Sequence, residues 1–231
     1  MKNRKKAFML LCYLLLVPLL VGFGALLWRG AHFALISMLV AVVSCLPFCV
    51  FFEKGKVGAG EVAVIAVMSA LSVLGRVVFA LVPAFKPVSA VVMITGIAFG
   101  PMAGFMTGSM SAIVSNLFFG QGPWTPFQML VWGLLGFASG LIFRRGRAPS
   151  RVLLILAGIV GGFVFSLGMD VYTVLSTEGA FSWDRYLFYA IAALPTTLTY
   201  AASNVVFLLA LTRPLLKKTE RMRVKFGVFD G

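Results

Sequence analysis

Long apolar runs separated by short polar connections dominate the chain. Most of these runs are about 20 residues long, the length that an α-helix needs to cross a hydrocarbon core of roughly 30 Å. Residues 88–100 form a shorter run, which predicts either a short helix embedded among others or one extended by its flanks. The pattern predicts an all-α polytopic membrane protein with eight helices, at residues 7–28, 33–52, 61–82, 88–100, 102–119, 126–143, 152–172 and 186–212.

Composition agrees with this fold class. The 231 residues are 61% hydrophobic and 12% charged, with a mean hydropathy of +1.02, which leaves no polar surface for a separate soluble domain. The first apolar run follows a basic start but exceeds the 7–15 residues of a signal peptide, so we expect a retained anchor helix. Three regions follow: residues 1–56 with two transmembrane helices of unknown role, residues 57–213 with a six-helix membrane core, and residues 214–231 as a basic cytoplasmic tail.

The basic residues predict the orientation. The net charge of +13 is concentrated beside the apolar runs, which is typical of a topology signal rather than of nucleic-acid binding. With the N-terminus inside, 16 Lys and Arg residues fall in inner segments, whereas the outer connections hold Arg29, Lys86 and Arg185. The positive-inside rule therefore predicts a multi-pass protein of the plasma membrane with both termini cytoplasmic. It also places the connection Gly120–Pro126 outside.

Catalytic chemistry finds little support in the sequence. The single histidine, His32, lies in a short connection, and the cysteines Cys12, Cys45 and Cys49 lie inside apolar runs, where packing explains them. The sequence has no phosphate-binding loop motif and no His, Cys or acidic residues at metal-ligand spacing. We therefore expect no catalytic residues, no metal site and no cofactor, which argues against a membrane enzyme or sensor.

Small residues recur at helical spacing. Three stripes predict close helix packing, as is typical in lipid, and they comprise Gly96, Gly100, Gly104, Gly108 and Ala112, then Gly133, Gly136 and Gly140, then Gly158 and Gly162. A fourth small-residue edge, Ala59, Ala63, Ala66 and Ala70, is compatible with either an internal seam or a surface for a partner.

Polar and aromatic side chains near the predicted outer face suggest a ligand pocket. Arg76 and Asp170 lie within apolar segments, where charged groups usually face the bundle interior, so they form either a structural salt bridge or part of a site. Amides flank the connection 120–126, and an interfacial aromatic belt alone would not require them. The candidate ligand-binding residues are Arg76, Lys86, Asn116, Gln121, Trp124, Gln128, Asp170, Tyr172 and Trp183.

Three segments resemble a known family. They read AVMSALSVLGRVVFA (66–80), FKPVSAVVMITGIAFGPMAGFMTGSMSAIVSNLFFGQGPWTPFQM (85–129) and WGLLGFASGLIF (132–143). Together they resemble the substrate-binding S component of energy-coupling-factor (ECF) transporters, the vitamin-uptake relatives of ABC importers. The Gln-Gly-Pro-Trp-Thr-Pro connection is most similar to the branch that includes cobalamin-specific members.

The resemblance implies a six-helix bundle with an outward-facing pocket for a water-soluble vitamin, with cobalamin favoured. It also implies that Ala66 and Ala70, with Ala63 on the same edge, dock on a transmembrane coupling protein that works with two ATPase subunits. The two N-terminal helices fall outside the family pattern. Two alternatives remain open: an S component for another vitamin or a nucleobase-like ligand, and a stand-alone secondary transporter, which would require mid-membrane acids or matched broken helices.

Overall fold

The computed structural model describes residue 39, residues 58–143 and residues 148–227. Within these residues the chain is helical and has no strand, with α1 at Ala59–Val78, α2 at Val88–Phe99, α3 at Pro101–Phe119, α4 at Trp124–Ile142, α5 at Arg151–Glu178, α6 at Trp183–Ala192 and α7 at Leu194–Phe226. Five of them (α1, α3, α4, α5 and α7) are long and apolar enough to cross a membrane. The all-α polytopic membrane class is therefore confirmed. The two predicted N-terminal helices lie outside the described residues, except for residue 39.

Helix α2 lies at the centre of the bundle. All of its 12 residues are buried, and it packs against α1, α3, α4 and α7. At 1.5 Å per residue it is about 18 Å long, shorter than the membrane-spanning helices around it. The embedded short helix, one of the two sequence-based alternatives, is therefore confirmed. Its shortness leaves room beyond its N-terminus.

The predicted small-residue stripes form the helix interfaces. A Cβ atom built on Gly104 of α3 would lie 2.5 Å from the carbonyl oxygen of Gly136 in α4. A Cβ atom on Gly162 of α5 would lie 2.5 Å from Cα of Ala201 in α7. Real Cβ contacts are never this short, so backbone approaches backbone at these points without space for a methyl group.

The C-terminal region differs from the prediction. The expected single span 186–212 is divided at Ala193 into α6 and α7, and Pro195 occupies the second position of α7. A proline there cannot donate a backbone hydrogen bond and restricts the residue before it, which accounts for the break. Helix α7 then continues to Phe226, so most of the predicted basic tail is helical, and Leu216 within it is buried.

The C-terminus of α1, the α3–α4 connection and the N-terminus of α7 meet at one end of the bundle. We call this the outer end, because the distribution of basic residues predicts that it faces outside. The orientation itself stays a prediction.

Candidate functional site

A cavity of about 60 Å³ lies near the outer end of the bundle. The cavity lies where α1, α2, α4, α5 and α7 meet the α1–α2 connection. Its lining residues are Arg76, Lys86, Val88, Ser89, Gln128, Trp132, Phe165 and Tyr200. A mixture of aromatic walls and a few convergent polar groups is typical of small-molecule sites.

Arg76 is the central cation of this cavity. Its Nη1 donates hydrogen bonds to Oγ of Ser115 and, at 2.8 Å, to Oδ1 of Asn116. Its guanidinium carbon lies 4.7 Å from the ring centroid of Phe119 and 5.4 Å from that of Trp132, within the range of cation–π attraction. No carboxylate pairs with Arg76 in the part of the chain that the structure describes. Neutral oxygens and aromatic rings therefore hold the guanidinium in place.

A chain of hydrogen bonds supports Asn116, whose side chain is fully buried. Nδ2 of Asn116 donates to Oγ1 of Thr125 at 2.9 Å and to Oε1 of Gln128 at 2.8 Å. Thr125 in turn donates to Oε1 of Gln121 at 2.9 Å, and Nε2 of Gln121 donates to the carbonyl oxygen of Ile113 at 2.8 Å. The α3–α4 connection thus fixes the amide that orients the arginine.

The local sequence explains the shape of this connection. Gly120 has a φ of 97°, a conformation that L side chains rarely adopt, and it ends α3. The amide of Thr125 donates to the carbonyl oxygen of Gly122 at 2.9 Å, and the ring of Trp124 covers Gly122 so closely that a Cβ there would lie 2.3 Å from it. The connection is therefore a sharp turn. No residue of this turn lines the cavity, whereas Gln128, which follows it in α4, does.

Lys86 is the second cation at the cavity. Its carbonyl oxygen accepts a hydrogen bond from Oγ of Ser203 at 3.0 Å, and the neighbouring Phe85 ring packs on Phe207 with centroids 5.2 Å apart. The Lys86 ammonium lies 5.9 Å from the ring centroid of Phe119. Partial burial and the guanidinium of Arg76 both lower the pKa of Lys86 below its ordinary value.

The N-terminus of α2 also faces the cavity. Val88 and Ser89, the first two residues of α2, line it, and no side chain caps this helix end. Because the first N–H groups of a helix carry partial positive charge, this end adds to the positive potential of the cavity. Nε1 of Trp132 donates to Oγ of Ser89 at 3.2 Å and ties α4 to α2 at this point.

Three aromatic rings form a further wall of the cavity. Trp132 and Phe165 are nearly parallel, with an interplanar angle of 10° and centroids 5.0 Å apart, and Tyr200 meets Phe165 edge-on at 5.0 Å. Sequence analysis missed these three residues and Ser89. Trp132 lies one helical turn after Gln128, so the two side chains share a face of α4. This spacing could have identified Trp132 as a site residue from the sequence. Phe165 lies in an apolar stretch, and Tyr200 lies among threonines that are spread along its helix, so neither gives such a signal.

Several predicted site residues lie outside the cavity lining. Asp170 is 8% exposed, its Oδ2 has no hydrogen-bond partner among the described residues, and it does not pair with Arg76, so the predicted salt bridge is wrong. Trp124 and Tyr172 pack against each other with centroids 6.5 Å apart. Trp183 is 70% exposed and packs on Phe181. For these four residues a ligand role stays a prediction.

A second, larger cavity of about 580 Å³ opens between α4 and α5. Its lining is almost wholly apolar and includes Leu135, Leu156 and Val160. The hydroxyl of Ser139 in its wall donates to the carbonyl oxygen of Leu135 and is therefore already satisfied. A groove without convergent polar groups does not select a water-soluble ligand, so we assign the candidate site to the smaller cavity.

Helix α1 presents a small-residue surface away from the cavity. Ala63, Ala66 and Ala70 are all exposed, together with Val67 and Leu74 on the same helix. A docking surface requires such exposure, but docking itself stays a prediction.

Comparison with known proteins places the chain in a family. The sequence model of the family described as "ECF-type riboflavin transporter, S component" matches residues 57–221. The UPF0397 protein of Vibrio atlanticus strain LGP32 is 34% identical over 137 residues, which cover 52% of this chain and 74% of that protein. The UPF0397 protein of Aliivibrio fischeri strain MJ11 is 30% identical over 138 residues, covering 53% and 75% respectively. No solved structure matches the chain. This chain belongs to the ECF-type riboflavin transporter S-component family.

Proposed function

We propose that this chain captures a water-soluble, vitamin-like compound in the cavity around Arg76. Membership of the family makes the protein a substrate-capture subunit of an ECF importer in the membrane and not an enzyme. The observation that carries the proposed site is the convergence of Arg76, Lys86 and Gln128 on a cavity with a Trp132–Phe165 wall. These residues come from distant parts of the sequence, and helix packing alone does not require so many hydrogen-bond donors at one point.

The ligand that we propose is small and carries a ring. The sequence resemblance favoured cobalamin, but the comparisons support the S-component family without supporting its cobalamin-specific branch. A cavity of about 60 Å³ has room for one functional group of a ligand, so the rest of any ligand would lie outside it, and a ligand as bulky as a corrin is disfavoured. Riboflavin, which the family description names, or another flat heteroaromatic compound would place its ring beside the aromatic residues Phe165 and Tyr200, at the edge of the cavity.

We further propose that Ala63, Ala66 and Ala70 form the surface that meets the transmembrane coupling protein. ECF S components in general associate with such a protein and with ATPases. Small side chains allow a partner helix to approach closely in lipid, and these three are exposed on α1. The energy for release would then come from the ATPase subunits through that contact.

Two measurements test this function. The purified full-length protein in nanodiscs is titrated, without nucleotide, with riboflavin, thiamine, biotin, pantothenate, nicotinate and cobalamin. Cells that express it with an ECF coupling protein and its ATPases are then assayed for uptake of the compound that binds. We expect tight binding of one small compound and ATPase-dependent uptake. Absence of both binding and uptake would contradict the proposal, and preferential binding of cobalamin would contradict the proposed ligand size.

One observation favours a second candidate, a stand-alone secondary transporter. Within the described part of the chain, the buried Asp170 carboxylate has an oxygen without a hydrogen-bond partner, and acids within membrane helices often belong to ion or proton pathways. Uptake that persists when the ATPases are inactivated, and that collapses when the ion gradient is dissipated, would support this candidate. Uptake that follows ATPase activity would exclude it.

A further inference from the structure

We propose that the compound captured in this cavity carries an oxyanion, either a carboxylate or a phosphate, which binds between Arg76 and Lys86. The inference rests on the proposed function, because it names the chemical class of the ligand at the same site. The argument uses the charges, the hydrogen-bond donors and the size of the cavity.

Two cations share the cavity without a carboxylate among its lining residues. The guanidinium carbon of Arg76 and the ammonium nitrogen of Lys86 lie 4.7 Å and 5.9 Å from the centroid of the same ring, that of Phe119. Like charges in a partly buried site repel each other, and an anion between them would replace this repulsion with attraction. Charge-assisted hydrogen bonds to an oxyanion are among the strongest that a protein makes.

The polar groups of the wall offer donors rather than acceptors. Only Nη1 of Arg76 is used by its hydrogen bonds to the described residues, so the Nε and Nη2 groups are free to donate. Oε1 of Gln128 already accepts from Asn116, which leaves its NH₂ group, and Oγ of Ser89 already accepts from Trp132, which leaves its O–H. A carboxylate or phosphate only accepts hydrogen bonds when ionised, so it complements this wall.

The N-terminus of α2 supplies a further positive contribution at the same point. Val88 and Ser89 begin this 12-residue helix and line the cavity. Among the described residues no side chain caps this helix end, and its first turn holds no acidic residue that would compensate the partial charge. Anions bind readily at such ends, and this one adds to the two side-chain cations.

The size of the cavity fits the same chemistry. About 60 Å³ corresponds to roughly two molecules of liquid water, which matches a single carboxylate or phosphate group. The remainder of the ligand would extend from this group toward the Trp132–Phe165 wall and the outer end.

Matched pairs of compounds that differ in one charge test the inference. The full-length protein in nanodiscs is titrated calorimetrically with nicotinate and nicotinamide, biotin and biotinamide, and riboflavin 5′-phosphate and riboflavin. We expect the anionic member of at least one pair to bind about tenfold or more tightly than its neutral twin. The first two pairs report a carboxylate and the third reports a phosphate, so the preferred pair identifies the anion.

Variants assign the preference to the two cations. In Arg76→Gln and in Lys86→Gln the ratio of anionic to neutral affinity should fall toward one, a change that general loss of folding would not produce. Lys86→Gln alters a residue in a connection and is the variant less prone to misfold. Arg185→Gln removes an exposed cation at the outer end, outside the cavity lining, and should leave the ratio unchanged.

The outcomes separate the two proposals. Equal affinity for an anionic compound and its neutral twin, or a preference that survives both cavity variants, would overturn the oxyanion inference while the capture function stands. If no member of any pair binds, and no uptake accompanies the coupling module, the capture function fails and the inference fails with it.

Discussion

Nη1 of Arg76 and Oδ1 of Asn116 are 2.8 Å apart, and this hydrogen bond joins the outer ends of α1 and α3. The acceptor is a neutral amide, and its own Nδ2 is held by Thr125 and Gln128. Because no described carboxylate pairs with the guanidinium, its charge remains available to a ligand. This arrangement orients a cation without neutralising it.

Replacing the amide with a carboxylate should neutralise the cavity. In Asn116→Asp the new carboxylate would form an ion pair with Arg76, and the amide of Gln128 would turn so that its NH₂ group donates to that carboxylate. The affinity for an anionic ligand should then fall about tenfold or more. Calorimetric titration of wild type and variant measures this change. Asn116→Ala provides the contrast: it leaves several buried groups unsatisfied and should lower stability by about 1–3 kcal/mol. An unaltered affinity in Asn116→Asp would show that the charge of Arg76 does not act on the ligand.

The α3–α4 interface should tolerate no additional atoms. In Gly136→Ala the new Cβ would lie 2.4 Å from the carbonyl oxygen of Gly104, so the two helices must separate, at a cost of about 1–3 kcal/mol. Thermal unfolding in detergent measures the loss. Gly58→Ala is the matched control, because no atom of the described residues lies within 4 Å of the Cβ position there and no loss is expected. Equal melting temperatures for the two variants would contradict the close backbone contact.

The exposed alanines of α1 should matter for assembly and not for ligand binding. In Ala66→Leu or Ala70→Leu the larger side chain should prevent close approach of the coupling protein, while the cavity, which neither residue lines, keeps its affinity. Co-purification with the coupling protein and ligand titration measure the two effects separately. Ala210→Leu, at an exposed alanine of α7, is the control and should assemble normally. Normal assembly of both α1 variants would remove the docking assignment.

Ligand affinity should depend on pH through Lys86. Burial and Arg76 lower the pKa of the free Lys86 ammonium below 10.5, and a bound anion should raise it again. Affinity should therefore be greatest when the pH is below the pKa of Lys86 in the free protein. It should fall as the pH rises above that value, up to the higher pKa that Lys86 has in the complex. Titration of an anionic ligand from neutral to alkaline pH tests this. Lys86→Arg should remove the alkaline decrease, because a guanidinium stays protonated over that range. A decrease that persists unchanged in Lys86→Arg would assign it to another group.

The Asp170 carboxylate should not contribute to stability through Arg76. Since its Oδ2 has no partner among the described residues, Asp170→Asn removes an uncompensated charge and should leave stability equal or higher. The charge swap Arg76→Asp with Asp170→Arg should give no recovery relative to the single variants. Thermal unfolding of wild type, Asp170→Asn, the two single swaps and the double variant measures both expectations, and recovery in the double variant would restore the salt-bridge interpretation.

The features of this fold that depend on repetition were predictable from the sequence. The length of the hydrophobic runs located the membrane helices. The helical spacing of glycines in the two stripes that contain Gly104 and Gly136 predicted close helix interfaces. The break at Ala193 was missed, because the apolar run is continuous across it and Pro195 alone marks the new helix. The extension of α7 beyond residue 212 was missed because the segment was assigned from its basic charge to a tail, although Leu216, Thr219 and Met222 recur at helical spacing.

The candidate site was predictable only where polar residues stood out in apolar sequence. Arg76, Asn116 and Gln128 were conspicuous for that reason, and the structure brings them together. Phe165 and Tyr200 were not, because an aromatic residue in a membrane helix has the same sequence pattern whether it faces lipid or a cavity. The Arg76–Asp170 pairing failed because opposite charges at similar depth need not lie on facing helix surfaces.

The central claim is that substrate is captured at the Arg76 cavity. It is tested most directly by the affinity of the captured compound for wild type and for Arg76→Gln, measured with the full-length protein in nanodiscs without nucleotide. The account predicts that the variant remains folded and binds about tenfold or more weakly. Equal affinities in two folded proteins would place the capture site elsewhere and contradict the account.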